Sequence, residues 1–209
     1  MKAIDRLKSL YQNEIVAFIL AIIGSFFMGT IHLVAAISEF SWLTINYCLF
    51  CYTLVAIIAI LTRLNQGEEK HRLYIVGAVC LMLLMIPMTV AMVKTIMERE
   101  TPVYFFDWLI YVYATYGTVK FVLAIRSLHL ARKGAPVYPI VTSWISVIDA
   151  AFTIQMMEFA LIATFEAERS FAMILMQYLT HGAIIIFTIW VIIHFIIRFK
   201  ARAEQTAKT

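Results

Sequence analysis

Polar residues in this chain fall in short clusters, and between them run long apolar stretches that set the elements. Six runs, at about 15–38, 42–61, 74–96, 103–125, 138–165 and 171–199, are long enough to cross a bilayer as helices, for which about 20 residues suffice. The pattern therefore predicts an all-α integral membrane protein, a six-helix transmembrane bundle forming a single membrane domain over 1–209. The first run follows Lys2, Arg6 and Lys8, as a signal peptide would. It is too long for a signal h-region and no small-residue cleavage site follows, so it reads as a retained span.

Composition agrees with the pattern. The chain is 63% hydrophobic and 14% charged, with a mean hydropathy of +0.87, far from soluble usage. Every connection is short, the longest lying near 64–71 and 127–137. That excludes an ATPase or a large extracellular binding module within these residues. The charges are sorted by end: Lys2, Arg6, Lys8, Arg63, Lys70, Arg72, Arg126, Arg132, Lys133, Arg198, Lys200, Arg202 and Lys208 fall on alternate span ends. The other connections hold mainly Glu39, Glu98, Glu100, Glu166 and Glu168, with Arg99 and Arg169. The positive-inside rule then places both termini in the cytoplasm and requires an even number of spans. The net charge of +4 is a topology signal. No nucleic-acid partner follows from it, and the basic tail reads as a lipid-headgroup contact. Trp42 and Trp108 are expected at the outer interface and Trp144 nearer the inner one, with Trp190 deeper.

Two sequence words recur. Gly29 to Ile37 and Gly117 to Ile125 share five identical positions, which sets His32 opposite Lys120. Ser41-Trp42-Leu43-Thr44-Ile45 returns as Ser143-Trp144-Ile145-Ser146-Val147 and sets Tyr47 opposite Asp149. Three spans duplicated must invert the second copy, giving inverted three-helix repeats with halves 1–98 and 99–209. The competing reading is chance similarity between apolar stretches, since the third and sixth spans share no such word. Pro87 and Gly182 lie inside spans, where a helix can kink or break.

The candidate chemistry lies from Tyr113 to Glu158. Gly134, Ala135 and Pro136 are turn material, so the flanking segments form an antiparallel hairpin in which Lys120 and Asp149 meet at one depth and Tyr116 is level with Thr153. A charge at mid-bilayer costs roughly 2.5–3.5 kcal/mol, and an opposite partner is the cheapest relief. The alternative is that Lys120 snorkels to the headgroups while Asp149 faces a water pocket. Gln155 and Glu158 share a helix face, with Asp149 rotated away from Gln155. Tyr111, Tyr113 and Tyr116 need hydrogen-bond partners at that depth. His32, near Asn46 and Tyr47, is the degenerate counterpart of the pair. The substrate-binding candidates are Lys120, Asp149, Tyr113, Tyr116, Gln155, Glu158 and His32, with Asp149 preferred over Glu158 as proton carrier. His32, His181 and His194 lack the spacing of a helical metal site, so no metal is expected. Cys48 and Cys51 form a Cys-x-x-Cys, yet only Cys80 remains to exchange with, and packing is the default reading. No nucleotide, hydrolase or metalloprotease motif is present, so neither an enzyme nor a cofactor is expected.

Ser41-Trp42, the word from Tyr113 to Ile125 with Lys120 and Ala124, and Asp149-Ala150 with Gln155 resemble a group of small six-span membrane proteins of anaerobic Gram-positive bacteria. The resemblance covers most of the chain. It implies six spans and a bacterial plasma membrane, and no activity. Taken together, the residues lead to a small ion- or proton-coupled transporter, or the substrate-binding subunit of an importer, acting as a homodimer or with a partner subunit. The alternative is a non-catalytic membrane subunit or interaction protein whose buried charges only fix helix packing.

Overall fold

The computed structural model describes residues 14–38, 41–67, 71–96, 107–131, 136–165 and 171–206. Among the described residues the fold is all-helical: α1 (Glu14–Ser38), α2 (Trp42–Asn65), α3 (Arg72–Ile96), α4 (Asp107–Ala131), α5 (Val137–Phe165) and α6 (Phe171–Thr206). Four of them, α2, α3, α5 and α6, are long and apolar enough to cross a membrane, and α1 carries a shorter apolar stretch, Ile23–Val34. The helices fall where the apolar runs predicted them. The fourth, described over Asp107–Ala131, runs past the predicted boundary at 125, and its predicted start at 103 lies outside the described residues.

Backbone polar groups inside hydrocarbon must be satisfied within the segment, so an uninterrupted apolar run folds as helix. The threonines follow the same rule. Thr30, Thr62, Thr118, Thr142, Thr153 and Thr188 each donate to the carbonyl one turn back, at 2.8–2.9 Å. Ser41 caps α2, its hydroxyl accepting from the Thr44 amide at 3.3 Å. Helix α3 runs unbroken through Pro87 and α6 through Gly182. Among the described residues, a Cβ on Gly182 would meet nothing within 4 Å. Gly182→Ala is therefore expected to stabilise the protein by about 0.5–1 kcal/mol, read as a raised midpoint in thermal unfolding.

Helices α1 and α2, α2 and α3, α4 and α5, and α3 and α6 form the broadest contacts. Of the four long apolar helices α5 is the most enclosed and α6 the least. One end of the bundle is basic, carrying Arg63, Arg72, Arg126, Arg198 and Arg202; Lys94 lies toward the other, its ammonium 5.7 Å from the Trp42 ring centre. Exposed side chains such as Phe26, Phe27, Ile86, Val122, Leu179 and Ile186 clothe the outside in hydrocarbon. The two halves do not pack equivalently: α2 lies broadly on α3, while the contact of α5 with α6 is narrower.

The core centres on Phe50 and Phe152, with ring centres 4.4 Å apart and Tyr47 stacked on both. Near the basic end Gly77 of α3 lets Val141 of α5 and Phe195 of α6 close in together. Trp144 is 5% exposed and packs against Phe187, Trp190 and His194, so its indole faces α6 rather than the outside of the bundle. Trp190, 49% exposed, is the member of that cluster facing outward.

Candidate functional site

Helices α4 and α5 run antiparallel in a fixed register. Ser127 bonds Ser143 at 2.7 Å, Lys120 meets Asp149, and Gly117 lies against Thr153. Lys120 and Asp149 each sit near the middle of their helix, several turns from either end. The Lys120 ammonium donates to Asp149 Oδ1 at 2.6 Å and to Thr153 Oγ1 at 3.1 Å. Thr153 in turn donates to the Asp149 carbonyl at 2.8 Å. The third neighbour is Tyr116, one turn before Lys120, whose ring centre lies 5.2 Å from Nζ. The side chains of the pair are 17% and 7% exposed. The pairing reading therefore holds over the snorkelling one: the ammonium turns inward to a carboxylate rather than toward the helix end.

Two more helices close the site. Gly24 of α1 leaves room for Tyr116, whose Oη stands 3.3 Å from where a Cβ would be. Cys51 of α2 lies within electrostatic range of both Lys120 and Asp149 and contacts the Tyr47 side chain. Its Cβ is 3.1 Å from the Cβ position of Gly29, so the cysteine fills a close approach of α1 to α2, and all three cysteines are free thiols.

The other predicted residues are distributed differently. His32 is buried on α1 with its ring 4.4 Å from that of Tyr47, so it belongs to the adjoining aromatic layer rather than to the ammonium's surroundings. Gln155 is buried on α5 but makes no hydrogen bond to the pair. Glu158 is half-buried nearer the end of that helix. Tyr111 is 62% exposed and points away from the bundle, and the side chain of Tyr113 lies outside the described residues, as does the Gly134–Ala135 turn. Among the described residues no group of three His, Cys, Asp or Glu side chains is placed to hold a metal ion. Neither Thr153 as a ligand of the ammonium nor Gly24 as the recess for Tyr116 is among the candidates named from the sequence. A threonine one turn after a buried aspartate on the same face is the signal that points to the first.

The contacts of α1 with α2 echo those of α4 with α5. His32 meets Tyr47 as Lys120 meets Asp149, and Gly29 meets Cys51 as Gly117 meets Thr153. Compared with protein families, curated proteins and solved structures, the chain matches none of them.

Proposed function

We propose that the chain is a small six-span transporter of the plasma membrane, both termini cytoplasmic, that moves a small solute or ion coupled to an ion or proton. The observation that carries this reading is the ion pair at mid-helix, Lys120 with Asp149, ligated by Thr153 and faced by Tyr116. Ionisable residues inside a membrane are costly, and where they persist they mark ion and substrate pathways. Lys120 holds an anionic group or gates the site; Asp149 carries the proton when the ammonium turns to its ligand. Tyr116 and Thr153 shape the pocket. The basic end supports the orientation, and the matched contacts His32–Tyr47 and Lys120–Asp149 support descent from two inverted three-helix halves. Six spans are few for a carrier, which favours a homodimer or a partner subunit.

One observation favours a second reading. The ammonium finds its ligands within a single helix hairpin, Asp149 and Thr153 of α5, which is also what a pair that only fixes helix packing requires. In that reading the protein is a non-catalytic membrane subunit.

Reconstituted protein on a supported membrane separates the two. Jumps of acetate, glutamate and inorganic phosphate, with and without a pH gradient, are expected to give a charge displacement with wild type and none with the folded Lys120→Met, Asp149→Leu double variant. If wild type gives no more current than protein-free membranes for any of these anions or for the pH jump alone, the transport reading fails and the structural one stands.

A further inference from the structure

Outside the ion pair, and apart from groups on α1 such as Ser25, the buried polar side chains that leave an atom without a hydrogen bond among the described residues lie on two helices that pack together, Gln155 on α5 and Gln177 and His181 on α6. Gln155, Gln177 and His181 are 2%, 1% and 0% exposed. Among the described residues neither polar atom of Gln155, nor Gln177 Nε2, nor His181 Nδ1 has a hydrogen-bond partner. Such groups in a protein interior are normally satisfied, and an orphan is destabilising. His181 fixes where they lie. Its ring stacks on Phe159 at 5.9 Å, meets the edge of Phe152 at 6.1 Å, and its Nε2 is 3.0 Å from the Met88 carbonyl of α3. Gln155 stands on α5 between those two phenylalanines, and Gln177 one turn before His181 on α6, so both border the same junction of α3, α5 and α6. Glu158, half-buried one turn beyond Gln155, continues the polar line toward the less basic end.

The hydrogen-bond inventory defines what fits. A carbonyl only accepts, so His181 Nε2 carries the proton and donates to Met88, which leaves Nδ1 of the neutral ring as an acceptor. Gln155 supplies one acceptor and an amide donor, and Gln177 a second donor. No ionised side chain makes a hydrogen bond with any of the three among the described residues. Two acceptors and two donors between aromatic walls match groups that both donate and accept without charge, which is the chemistry of the hydroxyl. A carboxylate would face the Nδ1 lone pair, and an ammonium would leave the amide donors unused.

We propose that α3, α5 and α6 enclose a second polar site, separate from Lys120–Asp149, that binds uncharged hydroxyl groups through Gln155, Gln177 and His181. Water and a hydroxyl-bearing solute share that chemistry. The site stands whether or not the ion pair carries a solute, because it uses none of that pair's atoms.

Millisecond X-ray hydroxyl-radical footprinting of the purified protein tests occupancy. Radicals born from bound water oxidise the side chains beside it, so Phe159 and His181 are expected to label several-fold faster than Phe50, which is as deeply buried but packed among Tyr47 and Phe152. In the Gln155→Met, Gln177→Met double variant that labelling is expected to fall to the Phe50 level. Saturation-transfer NMR with glycerol then distinguishes the sources: a glycerol signal with wild type that the double variant loses means a hydroxyl-bearing solute binds, and labelling without that signal means water alone. The comparison within wild type needs no variant to fold. Phe159 and His181 labelling no faster than Phe50, with no saturation transfer, overturns the proposal.

Discussion

Lys120→Met is expected to destabilise the folded protein by about 3–5 kcal/mol, the usual penalty for leaving a buried charge without its partner. The reason lies in what remains. Asp149 would keep its burial at mid-helix and lose the ammonium 2.6 Å away, while Thr153, which donates to the Asp149 backbone carbonyl, offers its carboxylate nothing. Asp149→Leu is expected to be about as damaging, since among the described residues the ammonium would retain only Thr153 Oγ1 and the Tyr116 face. The double variant should recover most of the loss, because two apolar side chains of similar volume need no hydrogen bonds. Thermal unfolding in detergent of the four proteins, read as a double-mutant cycle, gives the coupling directly. Effects that simply add would mean that the pair, though hydrogen-bonded, stores no shared energy, and the proposed site would lose its centre. A recovered double variant that still lacks anion-driven current would assign the pair to function rather than to packing.

Gly77→Ala is the second large effect, of about 1–3 kcal/mol against stability. A Cβ there would stand 2.7 Å from Val141 Cγ1 and 3.1 Å from Phe195 Cε2. Val141 and Phe195 are both fully buried, and a valine has no long stem to swing aside, so α3 must move away from α5 and α6. Val141→Ala in the same chain should restore much of the midpoint, and failure of that rescue would place the constraint elsewhere. The opposite sign expected for Gly182→Ala comes from the same chemistry in open space.

These two glycines show how far a linear reading reaches. Both are single glycines in apolar helical runs, and Gly182, set in an otherwise uninterrupted stretch, is the one a pattern singles out. Space around a Cα depends on helices distant in the chain, and no local property of the sequence encodes it. The ion pair is the opposite case. Lys120 and Asp149 are legible because charge in hydrocarbon is expensive and because a short connection between two spans fixes which residues meet at the same depth. Gln155 shows the limit of that logic: spacing along α5 set it apart from Asp149, but its burial without a hydrogen bond among the described residues follows from how the helices pack.

The sequence by itself determined the class, the helices and the central pair. Hydrocarbon leaves a long apolar run no alternative to the helix, and hairpin connectivity leaves a mid-helix charge few partners. Tertiary structure decided which helix is enclosed, that Trp144 packs inward, that Thr153 and Tyr116 complete the surroundings of the ammonium, and that Gln155, Gln177 and His181 are buried with polar atoms left unpaired among the described residues. Those choices depend on the rotation of each helix about its own axis. Apolar side chains cover nearly every face of these helices, so rotation is set by shape and by a few hydrogen bonds between helices rather than by any polar stripe along one of them.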